Sequence, residues 1–204
     1  PVVIHGGGKE ITRWLEKILR ELREIPHVNI IRIGSKMLAY NPYRILNDQN
    51  LLYILSRYST PDKRIYLMAH FNHPRELTEV SIRAAEALRK AGVIVVNQTP
   101  ILNGINDEPE ILTTLFRKLS FAGISPYYVF QCRPTTGNHL FQVPVEQSYE
   151  ILQKSWQACS GLAKRARFIM SHATGKIEIV GKTAEHVFMR YHQAAEMADI
   201  GRFM

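Results

Sequence analysis

His70, Asn72 and His73 stand together just past the apolar run IYLMA over 65–69, and a helix-like pattern opens near Pro74. A buried strand that delivers polar side chains at its carboxyl end is how parallel α/β folds present chemistry. Five further segments end the same way: VVIHGGG over 2–8, IIRIG over 30–34, VIVVNQ over 93–98, YYVFQCR over 127–133 and FIMSHATGK over 168–176. Gly6, Gly7 and Gly8 allow backbone amides to approach an anion closely, or they simply make a tight turn. His70 and His73 have the H-x-x-H spacing of a zinc site. The nearest further candidates, His139 and His172, lie in other segments with no carboxylate or thiol at ligand spacing, so a polar cluster or a cofactor contact is expected instead of a metal. Asn97 and Gln98 offer two amides that each donate and accept. Lys176 enters an apolar strand pattern, where partial desolvation would favour the neutral, nucleophilic amine. An ordinary strand-end lysine is the alternative there. Arg32 and Lys36, near another strand end, are expected to be salt-bridged.

These residues need elements to hold them. Amphipathic stretches of helical spacing run over 10–24, 47–58, 78–91, 109–122 and 145–157. Asn47 and Thr78 have the chemistry of helix starts, and Gly92 and Gly123 that of stops. A last helix is expected from Thr183 to Met197, with Val187, Tyr191, Ala194 and Ala195 on one face. Strands alternating with helices argue for parallel β-structure with right-handed crossovers. A doubly wound sheet and an incomplete barrel both fit. Polar residues clustered at consecutive strand ends favour the barrel, and the number of units is too small for an eightfold one. The expected architecture is therefore α/β, a partial (βα) barrel of parallel strands lacking its first strand, over 1–181, with a C-terminal strand/helix extension whose helix occupies 182–204.

With 204 residues, 46% of them apolar, the chain can bury a core as one domain. No run of about 18 apolar residues exists, so no membrane span is expected. The opening PVVIH has no basic leader and reads as a strand, not as a signal peptide. Cys132 and Cys159 are too few for a disulfide framework and suit buried thiols in a cytoplasmic protein. The net charge of +8 would suit nucleic acid, but Arg13, Lys17, Arg20 and Arg23 alternate with Glu10, Glu16, Glu21 and Glu24 as on a solvated helix face. No nucleic-acid partner is expected. The run Lys164, Arg165, Ala166, Arg167 reads as a surface loop or as an anion site.

The succession HGGG, IIRIG, HFNHPREL, GVIVVNQTPILNGIND, PYYVFQC, FQVPV and SGLAKRARF resembles the radical S-adenosylmethionine aminomutases of the lysine 2,3-aminomutase type over nearly the whole chain. The resemblance implies a radical SAM partial barrel that uses a [4Fe–4S] cluster, S-adenosylmethionine and pyridoxal phosphate to move an amino group between adjacent carbons of a small-molecule amino acid. It assigns Gly6, Gly7, Gly8, His70, Asn72, Asn97 and Gln98 to cofactor contacts and Lys176 to covalent attachment of pyridoxal phosphate. The family's CxxxCxxC thiolate loop is missing, so the cluster ligands fall outside this chain and the chain alone is expected to be inactive. Gly8 stands where the family usually has Asp. Glu108 replaces a zinc-binding cysteine of the lysine enzymes. Arg133 and Ser171 stand where lysine-specific members place carboxylates for the distal ammonium, so an amino acid other than lysine is implied, and Arg133 suits an anionic group. A different radical reaction on the same cofactors, or a cluster-less, non-enzymatic cofactor-binding homologue, are the alternatives. Assembly as a homo-oligomer is compatible with all three.

Overall fold

The computed structural model describes residues 8–204, so the strand expected at 2–4, together with Gly6 and Gly7, lies outside the described residues. The elements are α1 (Gly8–Glu24), β1 (Ile30–Ser35), α2 (Met37–Tyr40), α3 (Tyr43–Leu46), α4 (Gln49–Tyr58), β2 (Arg64–Ala69), α5 (Glu79–Lys90), β3 (Ile94–Pro100), α6 (Pro109–Phe121), β4 (Ser125–Phe130), α7 (Val145–Gln157), β5 (Arg167–His172), β6 (Gly175–Lys182) and β7 (Val187–Ala194). The strands are hydrogen-bonded neighbours in chain order from β1 to β7. A doubly wound sheet reverses its order at a switch point; this one does not. The observed order is that of a partial (βα) barrel, with β1–β2 and β4–β5 parallel and β5–β6 and β6–β7 antiparallel.

The chain divides into two compact units. The first runs to Phe71 and resumes over Glu76–Val96, and the second takes Asn72–Arg75 and Asn97–Met204. In the first, Leu19, Leu38, Ile54, Ile65, Ala84 and Leu88 are almost fully buried. Helix α4 starts one residue later than the sequence suggests. Asp48, not Asn47, is the cap, its Oδ1 accepting from the Leu51 N–H at 2.9 Å. Burial works to raise the Asp48 pKa, but the Leu51 N–H, the Thr12 hydroxyl and Arg44 outweigh it and hold the carboxyl below its ordinary value. Arg23 departs from the solvated face expected of α1: it turns inward and donates to the carbonyl of Tyr58 (2.7 Å), an acceptor that the end of helix α4 leaves over, and to that of Lys63 (3.0 Å) in the turn before β2. Thr78 caps α5 through Ser81 N–H at 3.2 Å, and Gly92 at φ +78° ends it. A side chain at Gly92 would also meet the Ser59 carbonyl at 3.0 Å.

In the second unit Leu112, Leu115, Leu119, Ile124, Val129, Leu152, Phe168 and Ile169 form the core. Helices α6 and α7 are tied by the Ser155 hydroxyl, which donates to the Pro109 carbonyl at 3.0 Å.

The expected C-terminal helix is not there. Residues Val187–Ala194 form β7, antiparallel to β6 around a turn at 183–186 closed by Thr183 N–H to the His186 carbonyl at 2.8 Å. The boundary proposed at 181/182 thus cuts a hairpin. Val187, Tyr191 and Ala194 fit a helical face, but β6 offers an unpaired edge, and its ladder outweighs the local pattern. The chain then folds back along β7, with Tyr191 N–H bonded to the Arg202 carbonyl (3.0 Å) and Met204 N–H to that of Met189 (2.9 Å).

Candidate functional site

In the first unit, His70 follows β2. Lys36 reaches over to it, donating to its carbonyl at 3.0 Å and to Glu76 Oε1 at 2.7 Å. Lys36 is therefore the salt-bridged residue expected, while Arg32 is exposed. Burial lowers the His70 pKa, the Lys36 charge lowers it further, and Glu76 opposes both. His70 is accordingly held as the neutral ring near pH 7. Gly8 is the first residue of α1.

In the second unit, the turn carrying Asn72 is fixed to the loop after β3 by Asn106, which is fully buried. Asn106 Nδ2 donates to the carbonyls of Asn72 and Pro100, both at 2.9 Å, and its Oδ1 accepts from Leu102 N–H at 2.7 Å. The Thr99 hydroxyl completes the knot by donating to Asn72 Oδ1 at 3.1 Å. Asn106 belongs to the conspicuous ILNGIND run, yet sequence reasoning assigned it no role. His73 Nδ1 accepts from Arg75 N–H at 3.1 Å, which engages that ring nitrogen in the turn. Asn97 is buried and Gln98 half-buried on β3. Successive strand residues face opposite sides, so a ligand lying against one face meets one of the two amides.

The register of β5 with β6 sets Ser171 directly opposite Lys176. Lys176 Nζ lies 4.9 Å from the centroid of the Tyr128 ring on β4. Tyr128 is itself buried, and its hydroxyl pairs with His192 Nε2 at 2.7 Å and accepts from Tyr127 at 3.1 Å. His192 is the extra residue of a bulge in β7, since Lys176 pairs with Gln193 and Ile177 with Tyr191. Bulges re-aim side chains beside sites, and here one turns the imidazole onto Tyr128. Burial lowers the His192 pKa, as do the charges of Arg167, Lys176 and Arg190, against Glu178. Gly175, at φ +145°, is required by the hairpin. A Cβ there would lie 2.1 Å from the Gln193 carbonyl oxygen.

Arg133 is exposed in the loop after β4, where Asn138 Nδ2 donates to its carbonyl. Cys132 and Cys159 are buried, and burial pushes both thiols up. Two buried, separated thiols do not fit an iron–sulfur cluster, which needs several exposed thiolates in one place. A group carrying an aldehyde and a phosphate does fit the donor set around Lys176: an amine at a strand entry, an aromatic face and nearby guanidiniums. No described helix is long and apolar enough to cross a membrane.

Fold and site together define a partial (βα)-barrel protein with the fold of the radical S-adenosylmethionine proteins. That fold recurs in the crystal structure of a domain of pyruvate-formate lyase-activating enzyme from Bacteroides vulgatus ATCC 8482, at TM-score 0.51 and 14% identity over 81% of this chain and 95% of that domain. At that identity the likeness concerns the fold alone. No protein-family model matches the chain. Its sequence is 54% identical over 206 residues to a putative L-lysine 2,3-aminomutase of Aquifex aeolicus (strain VF5), covering 100% of this chain and 55% of that protein. It is 36% identical over 164 residues to the glutamate 2,3-aminomutase of Clostridioides difficile (strain 630), covering 79% and 37%. The chain is a homologue of the lysine 2,3-aminomutases, and it spans about half the length, or less, of these relatives.

Proposed function

We propose that this chain supplies the pyridoxal phosphate- and substrate-binding part of a radical S-adenosylmethionine aminomutase acting on an amino acid other than lysine. The observation that carries the reading is the juxtaposition of Lys176, Ser171 and Tyr128 in the second unit, within a sequence related throughout to named aminomutases. Lys176 is the residue that would hold pyridoxal phosphate covalently; when bound, that group supplies delocalisation of the migrating nitrogen. The Tyr128 ring orients the Lys176 amine. His192, neutral near pH 7, fixes the Tyr128 hydroxyl and adds no further charge to a cationic surface. Ser171 presents no carboxylate to a distal ammonium, and Arg133, if the position implied by the family resemblance faces the substrate, would repel one, which disfavours lysine. A homologue named for glutamate gives a precedent for another substrate. The thiolates for a cluster that cleaves S-adenosylmethionine would have to come from outside these 204 residues.

The test is reduction of the chain with borohydride in the presence of pyridoxal phosphate, followed by peptide mapping. Label on Lys176 is expected. Label on Lys164 or Lys182 with Lys176 unmodified would sink the assignment. Iron and sulfide analysis after anaerobic reconstitution of the 204-residue chain should find no stoichiometric cluster.

A further inference from the structure

Arg167 on β5, Glu178 on β6 and Arg190 on β7 stand side by side across three antiparallel strands. The pairings Ile169↔Glu178 and Glu178↔Arg190 put Arg167, Glu178 and Arg190 on one face, with Lys176 two residues from Glu178 on that same face. Glu178 Oε2 accepts from Arg167 Nη1 at 3.1 Å and from Arg190 Nε and Nη2 at 3.0 and 2.9 Å. The carboxylate side chain is 12% exposed, whereas the arginines are 49% and 37% exposed. One shielded oxygen thus anchors both guanidiniums from behind. Arg167 Nε and Nη2 and Arg190 Nη1 make no hydrogen bond among the described residues. Two guanidiniums stand against one carboxylate, and His192, held neutral, adds no charge to them.

A structural salt bridge would match charges and exhaust donors. This one leaves both an excess of positive charge and spare N–H groups beside Lys176, the arrangement in which planar guanidiniums take up carboxylate or phosphate. We propose that the face formed by Arg167, Glu178 and Arg190 is an oxyanion site that receives the phosphate or carboxylate group of the small ligand held at Lys176. Of the basic run 164–167, Arg167 alone takes part, because it is the first residue of β5. The inference rests on the aminomutase reading for the nature of the ligand; the anion site itself does not.

Calorimetry of the full 204-residue chain with inorganic phosphate tests the site directly. The R167Q/R190Q double variant should lose about tenfold or more in phosphate affinity, and R165Q, which removes a single charge from the neighbouring exposed loop, should change it less than about twofold. The R167Q/E178Q/R190Q triple variant leaves no unpaired carboxylate and decides the question if the first variant fails to fold; with both guanidiniums gone the same loss is expected. If the cofactor's phosphate is the natural occupant, the preference for pyridoxal phosphate over pyridoxal collapses in these variants. If a substrate carboxylate is the occupant, glutarate binding falls and that preference survives. Unchanged phosphate affinity in the folded variants, or an equal loss in R165Q, overturns the proposal. Phosphate binding that depends on the arginines without any Lys176 label would keep the oxyanion site and refute the aminomutase reading.

Discussion

Two polar clusters in the second unit are built on opposite plans. Around Asn106 every group is neutral, the side chain is fully buried, and its amide is spent on backbone partners at 72, 100 and 102. Across β5, β6 and β7 the groups are charged, half-exposed, and the donors outnumber the one carboxylate that holds them. A saturated network has nothing left to give a ligand and fixes the shape of a loop. An unsaturated one keeps charge in reserve. The difference separates a cluster that builds the site from one that can bind at it.

The sharpest way to break that distinction is to empty the saturated cluster. Asn106→Leu keeps the volume but strips the Leu102 N–H of its acceptor and takes one donor each from the carbonyls of Asn72 and Pro100. With about 1–3 kcal/mol for each buried group left unpaired, and some rescue by water, we expect a loss of about 3–5 kcal/mol in urea unfolding. Leu102 N–H should lose its protection from hydrogen exchange, while phosphate affinity per folded molecule stays as it was. A variant of near wild-type stability would show that Asn106 is not what fixes this loop.

The second effect is smaller and has the opposite signature. Glu178→Gln removes the negative charge shared by two guanidiniums that water already reaches and leaves them a neutral amide oxygen, so we expect about 1–2 kcal/mol of destabilisation, toward the low end for bonds to charged groups. Phosphate should bind more tightly in this variant, because the negative charge is gone and both arginines remain. Weaker phosphate binding would mean that anchoring the guanidiniums outweighs the charge. Leu102 N–H should keep its protection.

What could be read in the sequence followed from how local the signal was. Thr78 as a cap, and Gly92 and Gly123 as stops, were legible because a helix end depends on a few adjacent residues. The strand ends at 70–73, 97–98 and 171–176 were legible as apolar runs breaking into polar ones. Strand β7 was not: Val187, Tyr191 and Ala194 fit the spacing of a helix, and the bulge at His192 disturbs the alternation that would have announced a strand. Arg167, Glu178 and Arg190 lie 11 and 12 residues apart along the chain. Only the antiparallel register makes them neighbours, and that register hung on the strand misread as a helix. Asn106 was hidden for another reason. An Asn after Asn103, Gly104 and Ile105 reads as one more turn residue until its burial is known.

The smallest effect is the response to acid, and it too divides the clusters. Burial, reinforced by Arg167, Lys176 and Arg190, holds the His192 pKa below its ordinary value of 6.5, so the folded protein refuses a proton that the unfolded chain accepts. More protons on the unfolded state means that stability rises with pH. The contribution is present above pH 6.5, erodes as pH falls through that value, and stops changing below the folded pKa. His70 behaves alike, its pKa lowered by burial and by Lys36. Urea midpoints should therefore drop between pH 7.5 and 5, and His192→Gln should flatten part of that drop and leave the part owed to His70. Protection of Leu102 N–H against local opening, in a cluster with no titrating group, should not follow the same curve. If His192→Gln leaves the pH profile unchanged, the imidazole does not sit among the cations of β5, β6 and β7, and the charged cluster is smaller than the one described.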